Sequence, residues 1–280
     1  MKKSIYCIFV VVLCFLLLGA CTPGEENTNI DYSVVVSTEG GMPLADIRVD
    51  VYKDSKMDKL VWAGETDEDG KISFTALSSD KYVATLKNVS DGYDVSESYQ
   101  LKSADNTISL KTHLTENVDL NNASYELGSI VSNFKVVTTD GKEYSISELL
   151  EKNKAVVLNF WYLNCGPCKM EFPYLQNAYE EFSDEIEVLA LNPVDGTNEK
   201  INDFANQLEL TFPMAVADIA WEKCMKLSAY PTTVVIDRYG MISMIHKGCI
   251  TEEGVFEKIF EYYASDDYKQ TTVRNISEIE

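Results

Sequence analysis

Residues 161–169 read Trp-Tyr-Leu-Asn-Cys-Gly-Pro-Cys-Lys, and this stretch decides the fold of the second half of the chain. The apolar run Ala155 to Phe160 precedes it and predicts a central strand buried on both faces. The amphipathic pattern from Cys168 to Phe182 follows it and predicts a helix. Two cysteines at positions i and i+3 of a helix start can bond to each other, and the positive end of the helix dipole stabilises a thiolate there. The spacing alone indicates either a redox pair or half of a metal site.

The composition argues against the metal site. A zinc site built on one CxxC motif needs two further ligands. The chain has only two histidines, His113 and His246, and it has no second CxxC motif. We therefore expect neither a bound metal nor a cofactor, and the redox interpretation is favoured.

A set of residues around the motif resembles a known family. Asn159-Phe160-Trp161 precedes the cysteines, Lys169 to Pro173 follows them, and Tyr230-Pro231-Thr232-Thr233 comes some 60 residues later. Strands and helices alternate throughout this half. Over residues 127–264 the chain resembles the TlpA/ResA-type membrane-anchored thiol–disulfide oxidoreductases, which implies an α/β thioredoxin fold.

The resemblance implies a role for each residue of the motif. Cys165 is expected to be the attacking thiolate, and Cys168 the resolving thiol that releases the mixed disulfide. Pro231 matches a cis-proline that faces the pair. Glu171 matches a glutamate that tunes the cysteines or assists proton transfer, although an ordinary solvated helix position remains an alternative for it. The expected substrate-contacting residues are Trp161, Gly166, Pro167 and Tyr230.

Two positions depart from thioredoxin itself. Asn159 stands where thioredoxin has a buried Asp, so Glu171 is the remaining nearby candidate for a proton acceptor. Asn164 stands where thioredoxin has a Trp just before the first cysteine. We therefore do not expect the broad substrate range of thioredoxin.

The first half of the chain shows a different pattern. Short alternating segments separated by turn residues predict strands and a small β-sandwich over residues 31–112. This region resembles carboxypeptidase-regulatory-like and transthyretin-like domains. Residues 113–126 are expected to be a linker and residues 265–280 a loose polar tail. The predicted fold class is thus an N-terminal all-β sandwich plus a C-terminal α/β thioredoxin fold.

The N-terminus has the features of a targeting segment. Lys2 and Lys3 precede an apolar run from Ile8 to Leu18, which is short for a membrane span. Leu18-Gly19-Ala20-Cys21 then resembles a bacterial lipoprotein cleavage site. We expect residues 1–20 to be a signal peptide, Cys21 to carry lipid, and residues 21–30 to be a tether. Ordinary secretion or an uncleaved anchor are the alternatives, and each places the protein outside the cytoplasm.

Charge and the remaining cysteines add two expectations. The chain carries 45 acidic against 24 basic residues, a net charge of −21, so nucleic acid is not an expected partner. Cys224 and Cys249 either pair in a second disulfide or, as we favour, remain unpaired as small core residues.

These observations lead to a functional hypothesis. The predicted protein is lipid-anchored to a bacterial membrane and reduces disulfides in oxidised extracytoplasmic proteins, with apocytochrome c as one candidate. Its electrons would come from a membrane thiol donor of the DsbD/CcdA type. The Gly-Pro dipeptide between the cysteines is that of the reducing thioredoxin, near −270 mV. The alternatives are a disulfide-forming oxidant of the same fold and an adhesion or sensing lipoprotein with a structural CxxC motif.

Overall fold

Alternating burial builds the first domain. In the strand Lys71–Leu77, the side chains of Ile72, Phe74 and Ala76 are buried and those between them are exposed.

The computed structural model describes residues 28–102, 104–116 and 119–279. The predictions for residues 1–20 and for Cys21 lie outside these residues. Among the described helices, none has both the length and the apolar character needed to span a membrane.

In the described part of this domain, seven strands form two sheets, ordered β4-β1-β7 and β3-β2-β5-β6. Their bounds are β1 Asn29–Thr38, β2 Arg48–Lys53, β3 Lys59–Glu65, β4 Lys71–Leu77, β5 Tyr82–Lys87, β6 Tyr99–Leu101 and β7 Asp105–Leu110. The core between them includes a stacked pair of rings, Tyr32 and Phe74, whose centroids are 5.1 Å apart. Because β1 begins at Asn29, the predicted tether over residues 21–30 is two residues too long.

The second domain alternates strands and helices as predicted. Its strands are β8 Lys135–Val137, β9 Glu143–Ser145, β10 Ala155–Phe160, β11 Ile186–Asn192, β12 Met214–Val216, β13 Thr232–Asp237 and β14 Ile242–Lys247. Its helices are α1 Ile146–Leu150, α2 Gly166–Phe182, α3 Asn198–Gln207, α4 Ala220–Cys224 and α5 Val255–Ala264. The predicted combination of a β-sandwich and a thioredoxin fold is confirmed.

The order of the main sheet positions the functional residues. It runs β12-β11-β10-β13-β14, with β10 to β12 parallel and β13 antiparallel to β10. All six residues of β10 are buried, as its continuous apolar run predicts. Phe160, the last residue of β10, lies opposite Thr232, the first residue of β13. The cysteine motif after β10 and Pro231 before β13 therefore meet at one edge of the sheet.

The C-terminal segment is not the loose tail that its polarity predicts. Tyr268 and Val273 are buried, and Val273 forms a parallel bridge with Met244 of β14. The amide of Gln270 donates to the carbonyl of Gly40 over 3.0 Å, which ties this segment to the first domain. The apolar residues that interrupt the polar segment supply this packing.

The predicted linker is also partly packed. Tyr125 is buried, and its amide donates to the carbonyl of Cys224 at the end of α4 over 2.7 Å. The hydroxyls of Thr115 and Ser132 share a hydrogen bond of 2.8 Å. At Thr115 and at Tyr125, the chain between the two domains is thus held against the thioredoxin-like domain.

Candidate active site

The cysteine pair lies at the N-terminus of α2. Cys165 and Cys168 form a disulfide, with their Cα atoms 5.3 Å apart. Cys165 keeps 1% of its surface exposed and Cys168 none. Gly166 and Pro167, between them, are exposed. Both cysteines are thus buried in the disulfide form, and the assignment of Cys165 as the attacking residue stays a prediction.

The backbone around Cys165 favours a thiolate once the disulfide is reduced. Cys165 is the N-cap of α2, a helix of 17 residues with no acidic residue in its first turn. The amide of Cys168 points at the Cys165 sulfur over 3.1 Å. Free amides and the helix dipole both stabilise negative charge at this position.

The predicted cis-proline is present at the same edge of the sheet. The peptide bond between Tyr230 and Pro231 is cis. The Pro231 carbonyl accepts a hydrogen bond of 2.9 Å from the amide of Gly248, which follows β14. The start of β13 is thereby joined to the end of β14 beside the cysteine motif.

Glu171 is a buried member of the site and not a solvated helix residue. Its side chain is 0% exposed. One carboxyl oxygen accepts from Asn159 Nδ2 at 2.8 Å, and the other accepts from the Ile250 amide at 2.7 Å. Burial raises the pKa of Glu171 from 4.5 to about 7, and the two hydrogen bonds oppose that rise. A group with this pKa can gain or lose a proton near neutral pH.

Asn159 suits both protonation states of this carboxyl. Its Nδ2 donates to Glu171 and, over 3.2 Å, to Thr233 Oγ1. Its Oδ1 is buried and has no hydrogen-bond partner among the described residues. An amide carries a donor and an acceptor, so rotation of the amide lets its Oδ1 accept a hydrogen bond from the protonated carboxyl of Glu171. The Asp found here in thioredoxin would instead place a second titratable carboxyl beside Glu171.

We expect substitution of Glu171 by Gln to flatten the pH dependence of stability. The folded state holds the Glu171 proton more tightly than the unfolded state does. The stability from this proton is therefore full below pH 4.5 and is lost as pH rises through 7. The loss amounts to roughly 3 kcal/mol. Urea unfolding between about pH 5 and pH 8 measures it.

Glu181→Gln is the matched control, because Glu181 is an exposed carboxyl on the same helix. In the control, the free energy of unfolding is expected to change with pH as steeply as in the wild-type protein. In Glu171→Gln, most of that change with pH should be lost. Equal slopes in the wild-type protein and the Glu171 variant would show that Glu171 ionises normally.

The substrate-facing surface differs from the prediction at one residue. Trp161 is 0% exposed, and its ring packs 5.2 Å from that of Phe172 and 4.9 Å from that of Phe204. The prediction that Trp161 contacts substrate is therefore wrong for this structure, because the side chain belongs to the core.

Tyr230 and Tyr162 occupy the surface instead. Both are partly exposed, and their rings meet edge to face at 5.4 Å. The Tyr230 hydroxyl donates to Glu222 over 2.7 Å. The Tyr162 carbonyl accepts from the Cys165 amide over 3.1 Å, which places the pair of rings beside the motif. The contact role of Tyr230 stays a prediction.

The loop after β11 holds the segment that leads to Cys165. Asp195 accepts from the Leu163 amide at 2.8 Å and from Asn164 Nδ2 at 3.4 Å. Asn192 orients Asp195 through a hydrogen bond of 3.2 Å. The sequence analysis missed this contact because Asp195 is some 30 residues from the motif and carries no local signal.

The two remaining cysteines are both free, so the alternative of a second disulfide is wrong. Cys224 is buried, as expected for a core residue, and burial raises its pKa to about 11. Cys249 is only half-buried, and its thiol donates to the Pro167 carbonyl over 3.1 Å. Cys249 is unpaired as expected, but the expectation that it is a core residue is wrong. A sequence signal for its position does exist. Gly248 follows β14, and β14 is antiparallel to β13, so the chain after β14 returns to the edge of the sheet where Pro231 lies.

Within the described ranges, no three or more His, Cys, Asp or Glu side chains are grouped so that they could hold a metal ion.

The two halves of the chain match different known proteins. A profile of the AhpC/TSA family matches residues 127–245, and a profile of the prealbumin-like fold domain SpaA matches residues 35–123. The thioredoxin-like protein YneN of Bacillus subtilis (strain 168) is 30% identical over 134 residues, covering 47% of this chain and 78% of YneN. The thiol-disulfide oxidoreductase ResA of the same organism is 33% identical over 132 residues, covering 46% of this chain and 72% of ResA. This chain belongs to the ResA-type thiol-disulfide oxidoreductase family.

Solved structures also align with the second half. StoA from Bacillus subtilis is 26% identical and covers 49% of this chain and 100% of its own, with a TM-score of 0.41. A putative thiol:disulfide interchange protein DsbE from Chlorobium tepidum is 24% identical and covers 45% of this chain and 89% of its own, with a TM-score of 0.40. As a ResA-type enzyme, the protein is a thiol–disulfide oxidoreductase whose substrates contain disulfides.

Proposed function

We propose that this ResA-type enzyme is a reductant that works outside the cytoplasm on a membrane tether. It would receive electrons from a membrane thiol donor of the DsbD/CcdA type and pass them to disulfides in exported proteins. Apocytochrome c, whose haem-binding cysteines must be reduced, is a candidate substrate. The lipid anchor would be Cys21, which belongs to the lipoprotein-like end of the apolar N-terminal run.

The observation that carries the direction is the buried carboxyl of Glu171, which lies one helical turn after Cys168 on α2. Glu171 has a pKa of about 7, so it is negatively charged in much of the protein at slightly alkaline pH. A negative charge close to a thiolate disfavours that thiolate and hence the reduced form of the pair. A dithiol whose reduced form is disfavoured gives up electrons more readily. The Gly166-Pro167 dipeptide shared with thioredoxin supports the same direction.

The proposed reaction begins with the reduced pair. The Cys165 thiolate attacks one sulfur of the substrate disulfide, and the other substrate sulfur leaves as a thiolate that takes up a proton. The Cys168 thiol then loses its proton, and its sulfur attacks Cys165; the second substrate sulfur leaves as a thiolate and takes up a proton. The enzyme ends with the Cys165–Cys168 disulfide, and the two electrons have moved to the substrate. Glu171 accepts or returns a proton during these steps.

The reduction potential of the pair tests this direction. We expect a value below about −200 mV at pH 7, in the range of reductants and far from that of DsbA. The potential is measured by equilibration with glutathione or dithiothreitol buffers and separation of the two forms. A value well above that limit would favour the disulfide-forming oxidant.

Glu171→Gln tests the electrostatic cause separately. Removal of the charge favours the thiolate, so the potential at about pH 8 is expected to rise by roughly 30 mV, the equivalent of one pKa unit. Glu181→Gln, on the same helix but exposed, is expected to leave the potential unchanged. An unchanged potential in the Glu171 variant would remove this support for a reductant.

A further inference from the structure

The segment after β14 contacts three parts of the active site. The Gly248 amide donates to the Pro231 carbonyl over 2.9 Å. The Cys249 thiol donates to the Pro167 carbonyl over 3.1 Å, and the Ile250 amide donates to Glu171 over 2.7 Å. Gly248 has a φ of +116°, a backbone conformation that favours glycine and lets the chain turn across the motif here. Cys249 is thus held over the turn between the two motif cysteines.

The sulfur of Cys249 lies close to that of Cys165. The Pro167 carbonyl and the Cys168 amide belong to one peptide group. The Cys249 sulfur is 3.1 Å from the oxygen of that group, and the Cys165 sulfur is 3.1 Å from its nitrogen. The two sulfurs are therefore no more than about 9 Å apart. In a mixed disulfide the bond to Cys168 is broken, so the Cys165 side chain can rotate toward the surface, where Cys249 is.

The exposure of Cys249 distinguishes it from the other free thiol. Cys249 is partly open to solvent, whereas Cys224 is fully buried and its nearest hydrogen-bond acceptor is the Trp221 carbonyl at 3.7 Å. Cys224 packs in the core on the opposite face of the sheet from the motif cysteines. Of the two, only Cys249 can reach a disulfide formed at the rim of the site.

We propose that Cys249 is a third redox thiol of this site, a second resolving cysteine that attacks the mixed disulfide between Cys165 and a substrate. The Cys249 thiol loses its proton, and its sulfur forms a bond with the Cys165 sulfur. The bond between Cys165 and the substrate sulfur breaks, and the substrate leaves as a thiol after taking up a proton. The product is a Cys165–Cys249 disulfide, which Cys168 converts to Cys165–Cys168 by a further exchange. No other oxidant or reductant is needed.

Cys249 acts more slowly than Cys168. Burial and the charge of Glu171 both raise the pKa of the Cys249 thiol, so little of it is thiolate at neutral pH. Cys168 is within bonding distance of Cys165 and resolves first whenever it is available. Cys249 therefore controls the release of the substrate from Cys165 when Cys168 cannot react. This inference rests on the exchange chemistry at Cys165 that the proposed function requires.

The test uses the full chain with Cys168→Ser and the disulfide probe 5,5′-dithiobis(2-nitrobenzoate). The probe places a thionitrobenzoate group on Cys165, and excess probe is then removed. In the Cys168→Ser variant we expect this adduct to decay in a first-order step that is independent of protein concentration. Mass spectrometry of peptides is expected to show a Cys165–Cys249 disulfide. In the Cys168→Ser/Cys249→Ser variant the adduct should last at least about tenfold longer.

Cys168→Ser/Cys224→Ser is the matched control, and its adduct is expected to decay as fast as that of Cys168→Ser. Equal adduct lifetimes with and without Cys249, or a lack of the Cys165–Cys249 peptide, would overturn the proposal while leaving exchange at Cys165 intact. Failure of Cys165 to form any adduct would overturn both this proposal and the proposed function.

Discussion

Replacement of Cys165 by Ser is expected to lower disulfide-reducing activity by at least about a thousandfold, to the level without enzyme. A hydroxyl does not attack a disulfide, and no other sulfur takes the place of Cys165 at the N-cap of α2. Turbidity from insulin reduction and single-turnover reaction with a disulfide peptide both measure the loss. Cys224→Ser, which alters a buried thiol on the opposite face of the sheet, is the control and should retain activity.

The complementary variant should accumulate the intermediate. With Cys168→Ser and Cys249→Ser combined, the mixed disulfide between Cys165 and a substrate has neither neighbouring thiol to resolve it. Exported proteins are then expected to appear as higher bands on non-reducing gels, and reduction should release them for identification. Adding Cys165→Ser should remove every such band.

The same variants separate the enzyme from the adhesion alternative. An adhesion or sensing lipoprotein with a structural CxxC motif would keep its binding after Cys165→Ser and would trap nothing in the combined Cys168→Ser/Cys249→Ser variant. If the Cys165 variant also unfolds at lower urea concentration while the trap stays empty, the disulfide is structural. The family membership of the chain and the position of the pair at a helix start favour exchange.

Local patterns predict much of this site. The apolar run of β10 indicates a central strand, and the cysteine spacing after it places both sulfurs on the first turn of α2. Pro231 is identified only by resemblance, and the structure confirms its cis peptide bond. The strand and the cysteine pair depend on residues that are adjacent in sequence. Pro231 depends on the resemblance to a family in which a cis-proline faces the cysteine motif.

The remaining features depend on contacts between distant segments. Glu171 is buried because the Ile250 segment, 79 residues later, covers it and supplies an amide donor. Cys249 reaches the motif because β14 ends at the same edge where β13 begins. The polar character of residues 265–280 predicts a loose tail, yet a few apolar side chains such as Val273 are enough to dock it. Neither hydrophobic periodicity nor composition contains this information.

Trp161→Ala is expected to lower the free energy of unfolding by about 3–5 kcal/mol. The indole is fully buried between Phe172 of α2 and Phe204 of α3, so its removal leaves a cavity between the two helices. Trp161→Phe should cost much less, because a ring remains. That change also removes an indole N–H that is buried without a hydrogen-bond partner among the described residues. Guanidinium unfolding followed by far-UV circular dichroism compares the two variants.

Met170→Ala is the control for this series. Met170 is 58% exposed on α2, and a surface change of this kind is expected to stay within about 0.5 kcal/mol. The result also decides between the two roles considered for Trp161. If Trp161 is a core residue, Trp161→Ala lowers the stability of the protein first, and activity falls only as the domain unfolds. If Trp161→Ala instead kept its stability but raised KM for a disulfide peptide, the side chain would have to reach the surface during catalysis. With both flanking rings packed against it at about 5 Å, we expect the loss of stability.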